Sequence, residues 1–196
     1  MLYYCPQIWC SDNTDAIERL RIQYGTSFGY PMSSVSAHVS VCPNHQNHRV
    51  TPFKTRGICA MQGTFGYELD LSKMTDEEKK MAGEQIAFFK EHGRLFQFGD
   101  YYRLTSPFEN RDYTVWEYAA QDGSEACMSV VYTDMYANAA SEIVKWKGLD
   151  PKKVYQMQLD GEDAGNFSGA ALMHAGILLP LPEQNYDAFQ IYLKAE

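Results

Sequence analysis

The sequence contains no long run of apolar residues and no cluster of positive charge. Lysine and arginine together number 17, against 25 aspartates and glutamates, which gives a net charge of −8. A membrane-spanning helix needs about 20 consecutive apolar residues, and nucleic-acid binding depends on clustered basic side chains. We therefore expect neither a membrane nor a nucleic acid as a partner.

Cysteine is scarce and follows no disulfide pattern. The five cysteines are an odd number without the spacing of a disulfide framework, which favours free thiols in a reducing compartment. The segment from Met1 to Cys10 has no basic stretch and no cleavage site, so it does not resemble a secretory signal. These features predict a cytoplasmic protein.

The first half of the chain alternates short strand patterns with longer helix patterns. Strands are predicted at residues 7–9, 35–41 and 65–71, and helices at residues 15–25, 52–62 and 75–92. Three strand–helix units in series are typical of a parallel α/β arrangement, although three units cannot close a barrel by themselves.

The ends of the predicted helices carry recognisable signals. Two starts have the spacing of a capping box, Asp15 with Glu18 and Thr75 with Glu78. The middle helix should begin with Thr51 as its N-cap and Pro52 as its first residue. The last helix should bury Ala82, Ile86 and Phe89.

After residue 96 the pattern changes to short strands without long helices. Residues 113–119 and 125–133 flank a Gln-Asp-Gly-Ser turn, which predicts a hairpin, and further strands are predicted at 143–146, 154–159 and 189–193. We expect an antiparallel β-sandwich with Trp116 and Trp146 in its core. The predicted domains are residues 1–95 (α/β) and 96–196 (all-β).

Residues 7–20 carry the strongest resemblance to a known family. Their sequence, Gln-Ile-Trp-Cys-Ser-Asp-Asn-Thr-Asp-Ala-Ile-Glu-Arg-Leu, closely resembles the surroundings of the catalytic acid/base in the α-galactosidases of glycoside hydrolase family 36. The match continues at residues 22–27, 37–40, 43–46, 55–57 and 63–70, and more loosely at 98–104 and from Ala175 to the end.

The resemblance implies both an architecture and a catalytic residue. The first half would be the C-terminal portion of a (β/α)8 TIM barrel, followed by the antiparallel β-sandwich. Asp12 would be the acid/base, at the C-terminal end of a barrel strand, where barrel enzymes place catalytic groups. It would protonate the leaving oxygen and then activate water. We expect Trp9 to form an apolar wall near Asp12 and to contact the substrate.

Two motifs of the family do not occur in this sequence. The nucleophile motif Lys-Trp-Asp-Met is absent, since Lys145-Trp146-Lys147 lacks the aspartate, and so is the Cys-Ser-Gly-Gly-Gly-Gly loop. Both lie upstream in the family, where Met1 corresponds to an internal residue. We therefore expect a C-terminal fragment that is inactive alone, with the missing N-terminal part and further copies in a homo-oligomer as its partners.

Other candidate residues have simpler interpretations. Asp15 should start a helix rather than form a catalytic pair with Asp12. Cys42, His45 and His48 are spaced as zinc ligands but lack a fourth ligand pattern, so no metal and no cofactor is expected. His38 belongs to the core or to the pocket lining, and either Glu68 or Asp70 faces the site; the sequence leaves both questions open.

The expected function is hydrolysis of terminal α-linked galactose in melibiose- or raffinose-type sugars. Two alternatives stay open: a non-catalytic fragment or β-sandwich module, and a related α-glycoside transglycosylase.

Overall fold

The structure is a computed structural model that describes residues 2–196. The chain divides after Gln97 into two compact units. None of the helices in the described range is long and apolar enough to cross a membrane.

The first unit contains three short parallel segments. Ile8 forms a parallel bridge with Val35. Strand β1 (Val39–Ser40) pairs in parallel with β2 (Tyr67–Glu68). The predicted parallel direction is confirmed, but the regular strands are shorter than the alternating patterns suggested.

Four helices accompany these segments: α1 (Ala16–Thr26), α2 (Phe53–Ala60), α3 (Asp76–Glu91) and α4 (Gly93–Phe98). Single turns of 3-10 helix lie at Met32–Ser34 and Leu71–Lys73. Val39 and residues of α2 form a small apolar core, against which Tyr67 and Ala82 of α3 pack. The strand–helix order is the one that the sequence predicts, except that α4 was not predicted.

The helix starts follow most of the capping predictions. Thr75 and Glu78 form a complete capping box at the start of α3. The Asp15 carboxylate accepts a hydrogen bond from the Glu18 N–H at 2.8 Å, which confirms Asp15 as the N-cap of α1. The prediction for Thr51 is wrong, because Pro52 is the N-cap of α2 and no side chain caps that helix.

The buried face of α3 differs from the prediction at one residue. Gln85 is buried, Ala82 and Phe89 are half-buried, and Ile86 is 36% exposed. The contact with α2 centres on Gln85, because a Cβ added at Gly57 would lie 2.1 Å from the Gln85 amide nitrogen. Gly57, which weakens α2 as a helix, thus makes room for α3.

The second unit contains eight strands and one short helix. They are β3 (Asp100–Arg103), β4 (Tyr113–Ala119), β5 (Glu125–Tyr132), β6 (Ile143–Val144), β7 (Val154–Leu159), β8 (Glu162–Ser168), α5 (Gly169–His174), β9 (Ile177–Leu178) and β10 (Ala188–Ala195). Six strands form one antiparallel sheet in the order β3-β4-β5-β10-β7-β8, and β6 pairs with β9.

The core of this unit joins the two sheets. Val115 and Met128 of the large sheet belong to the same buried cluster as Val144 of β6, Trp146 and Leu172 of α5. The predicted core position is confirmed for Trp146. Trp116 is also only 1% exposed, but it does not belong to this cluster.

One acidic side chain lies inside this core. Glu117 on β4 is fully buried, because the alternation of the strand places it on the same face as Val115 and Ala119. Its Oε2 accepts the Lys147 N–H at 2.9 Å, and its Oε1 has no hydrogen-bond partner within residues 2–196. Burial raises the pKa of Glu117 to about 8.

Candidate functional site

Asp12 lies beyond the carboxyl end of the first parallel segment. It follows the bridged residue Ile8 by four positions and precedes α1, and its side chain is exposed. The loop that follows β1 reaches the same place, because the Gln46 side chain donates to the Asp12 carbonyl at 3.0 Å. The structure thus brings together two segments that are 34 residues apart.

A row of side chains crosses the three parallel segments on one face. The rings of Trp9 and His38 lie 4.9 Å apart between centroids at an angle of 30°. His38 Nε2 is 3.0 Å from Glu68 Oε2. Trp9 is 52% exposed, so an apolar ring surface stands near the start of the Asp12 segment. Among the two acidic candidates, Glu68 therefore joins this row, whereas Asp70 caps the 3-10 turn that follows.

His38 has a lowered pKa and two polar contacts. Burial lowers its pKa, Arg19 lowers it further, and Glu68 opposes both. A neutral ring fits both contacts if Nε2–H donates to Glu68 while Nδ1 accepts the Ser40 hydroxyl at 2.9 Å. In this arrangement the neutral ring donates a hydrogen bond to the Glu68 carboxylate.

Asp15, three residues after Asp12, is fully engaged in structural contacts. Its buried carboxylate caps α1 and also pairs with the Arg49 guanidinium. Both roles are structural, because they fix the start of α1 and tie it to the loop after β1. The expectation that Asp15 starts a helix is confirmed.

A buried guanidinium supports the segment that carries Asp12 from behind. Arg19 on α1 donates to the Ser11 carbonyl at 3.1 Å, directly before Asp12, and to the Ser36 carbonyl at 2.6 Å. Its Nε donates to Gln23 Oε1 at 3.1 Å. These contacts hold the end of the first segment against the second. Arg19 of α1 therefore fixes the backbone that leads to Asp12.

An open cavity of about 420 Å³ lies beside the first segment. It is lined by Ile8, Trp9, Cys10, Gly25, Thr26, Gly29 and Tyr30. Trp9 borders this cavity, but Asp12 does not, so the cavity alone does not define the site.

The zinc spacing noted in the sequence is not accompanied by a ligand cluster. Within residues 2–196, no group of three or more His, Cys, Asp or Glu side chains is arranged to hold a metal ion. Cys42 Sγ instead lies 3.6 Å from the Thr51 carbonyl, and all five cysteines are free thiols.

Sequence reasoning missed Arg19 and Gln46 as parts of this site. Arg19 had one available signal, since it lies four residues after Asp15 on the face that carries buried Leu20 and Gln23. Gln46 had none, because its contact with Asp12 depends on how the loop after β1 folds back.

Parallel strand–helix units that gather polar side chains beyond the strand ends form the usual site of an α/β enzyme. The comparisons with known proteins identify the family. The chain belongs to the melibiase family: the Melibiase model matches residues 1–99, and the model of the glycosyl hydrolase family 36 C-terminal domain matches residues 113–193. The family resemblance stated from the sequence is thereby confirmed.

The relatives are named as α-galactosidases. The chain is 51% identical over 190 residues to the bifunctional alpha-galactosidase/sucrose kinase AgaSK of Mediterraneibacter gnavus, covering 97% of this chain and 20% of that protein. It is 48% identical over 195 residues to alpha-galactosidase AgaA of Geobacillus stearothermophilus, covering 100% and 26%. A crystal structure of an AgaA variant with raffinose superposes with a TM-score of 0.94 at 46% identity, covering 100% and 27%. The chain thus spans about a quarter of the length of these relatives.

Proposed function

We propose that this chain is the C-terminal part of a retaining α-galactosidase and that Asp12 is its acid/base. The observation that carries the proposal is the position of Asp12, exposed beyond the end of a parallel segment, in a chain of the melibiase family. The substrates would be terminal α-linked galactosides of the melibiose and raffinose type, and a variant of AgaA has been crystallised with raffinose.

The Asp12 carboxyl would act twice in each turnover. In the first step it donates its proton to the glycosidic oxygen as the bond to galactose breaks. In the second step the carboxylate takes a proton from the water that attacks the galactosyl intermediate. The nucleophile comes from outside residues 1–196 and would stand about 5–5.5 Å from Asp12, as retaining enzymes require.

Trp9 would supply the apolar side of this site. Its ring is backed by His38 and remains 52% exposed, which suits an aromatic surface that packs against a sugar ring and removes water from its neighbourhood.

The proposed function implies a two-domain architecture for the chain. Residues 1–95 would complete a (β/α)8 barrel with strands from the rest of the enzyme, supported by their parallel direction and strand–helix order. Residues 96–196 would form a C-terminal antiparallel β-sandwich, supported by the two sheets that share one core. The cytoplasmic location and the homo-oligomer stay predictions.

A chimera tests the function. Residues 1–196 replace the corresponding part of Geobacillus AgaA, to which they are 48% identical, and the product is assayed with 4-nitrophenyl α-galactoside and raffinose. We expect the chimera to release galactose and the isolated chain to give no turnover above background. A folded but inactive chimera, or an active isolated chain, would contradict the proposal. Galactosylated sugars in place of free galactose would identify a transglycosylase.

A further inference from the structure

The loop after β1 is tied to the Asp12 segment by polar contacts at Asp12 and at the residues that follow it. We call residues 42–49 the clamp loop. The Gln46 side chain contacts the backbone at Asp12 and Thr14, Asn44 contacts the Thr14 side chain, and Arg49 pairs with Asp15. The short segment that carries the proposed acid/base is therefore held by a loop from the neighbouring parallel strand.

Gln46 occupies the central position in this arrangement. Its amide nitrogen donates to the Asp12 carbonyl at 3.0 Å, and its amide oxygen accepts the Thr14 N–H at 3.0 Å. One planar amide thus bonds to the backbone directly at Asp12 and again two residues later. Both of these bonds of the Gln46 side chain go to backbone atoms. Gln46 therefore holds the backbone that carries the Asp12 carboxyl without bonding to the carboxyl itself.

Hydrogen bonds of Asn44 hold the clamp loop in place. Asn44 is buried, and its side-chain oxygen accepts the N–H groups of Gln46, at 2.9 Å, and of Asn47, at 3.3 Å. Its amide nitrogen donates to the Thr14 hydroxyl at 3.0 Å. Asn44 therefore contacts both the backbone of Gln46 and the side chain of Thr14. These contacts orient the Gln46 amide for its two hydrogen bonds.

We propose that Gln46 is a positioning residue for the acid/base reaction of Asp12, acting through the backbone at Asp12 and at Thr14. This inference rests on the proposed function. A carboxyl that must give a proton to one oxygen and take a proton from another needs its atoms within hydrogen-bond reach of both, and a displacement of about 1 Å can lower a rate about 100-fold. Loss of Gln46 should therefore impair proton transfer more than sugar binding.

The test uses leaving groups of different acidity in the AgaA chimera. An activated leaving group, such as fluoride in α-galactosyl fluoride, departs without a proton, whereas the sugar leaving group of melibiose needs one. We expect Gln46→Leu to lower kcat/KM for melibiose about 10- to 100-fold and to change that for α-galactosyl fluoride by less than about threefold. His45→Ala is the matched control, an exposed neighbour in the same loop, and should leave both substrates near the wild-type rate.

Hydrogen exchange of the same chimera gives a readout independent of activity. The Asn13 and Asp15 amides bond to Ser11 Oγ and Asn13 Oδ1 rather than to Gln46, so they report the order of the segment. In Gln46→Leu, but not in His45→Ala, they should exchange at least about tenfold faster.

The outcomes separate the two claims. An equal loss with melibiose and with α-galactosyl fluoride, or unchanged exchange at Asn13 and Asp15, overturns the positioning role of Gln46. An inactive chimera in which Gln46→Leu still accelerates exchange contradicts the proposed function and leaves the clamp of the Asp12 segment supported.

Discussion

Replacing Glu117 by glutamine should change how the stability of the second unit depends on pH. Glu117 is fully buried, and its pKa is raised from 4.5 to about 8 by burial. Glutamine has nearly the same shape, keeps an oxygen that accepts the Lys147 N–H, and never ionises. The substitution thus removes the titration while retaining the one hydrogen bond that the side chain is seen to make.

The sign follows from the raised pKa. The folded chain holds the Glu117 proton more tightly than the unfolded chain, so the stability that this group contributes is complete below the unfolded pKa of 4.5 and is lost as the pH rises through about 8. Since each pKa unit corresponds to about 1.36 kcal/mol, wild type should lose about 2 to 3 kcal/mol of unfolding free energy relative to Glu117→Gln between about pH 5 and pH 7.

Urea unfolding followed by tryptophan fluorescence measures this difference. Trp116 and Trp146 are both buried in the second unit, so their emission reports its unfolding. Glu162→Gln on β8 is the control, since its side chain is exposed, and it should follow wild type at every pH. If the wild-type and Glu117→Gln curves stay parallel between about pH 5 and pH 8, Glu117 is not the buried titrating group described above.

Two further predictions concern the first unit. Gly63→Ala should destabilise this unit by about 1 to 3 kcal/mol, because the added Cβ would lie 2.4 Å from the Val35 carbonyl oxygen. Gly83→Ala in α3, with open space around it, should stabilise the unit by about 0.5–1 kcal/mol. Urea unfolding measures both changes, and equal effects would contradict the packing described. Trp9→Ala in the AgaA chimera should raise KM for melibiose, because its exposed ring is proposed to pack against the sugar. An unchanged KM would argue against that role.

Local signals in the sequence were sufficient for much of the fold. The capping box of Thr75 and Glu78 and the hairpin of β4 and β5 depend on residues that are close in the chain, so their spacing carried the information. The burial of Glu117 was not predicted, because both faces of β4 are buried and alternation alone does not single it out.

Several elements were missed because they lack such a local signal. Strand β8 is almost entirely exposed and has no apolar alternation, so only its pairing with β7 makes it a strand. The exposure of Ile86 follows from the contact between α2 and α3, where Gly57 admits Gln85. Neither fact is contained in the pattern of a single segment.

The candidate site divides in the same way. Asp12 and Trp9 were named from the resemblance of one continuous segment. The stacking of Trp9 on His38 and the hydrogen bond of His38 to Glu68 depend on the register between parallel segments. The contact of Gln46 with Asp12 depends on a loop 34 residues away, and only the three-dimensional arrangement reveals it.

The rate of the Asp12→Asn variant in the AgaA chimera tests the central claim most directly. Asparagine keeps the shape of the side chain but cannot transfer the proton, so kcat/KM for melibiose should fall about 100- to 10,000-fold. The fall for α-galactosyl fluoride, whose leaving group needs no proton, should be much smaller. Wild-type activity on melibiose in this variant would show that Asp12 is not the acid/base.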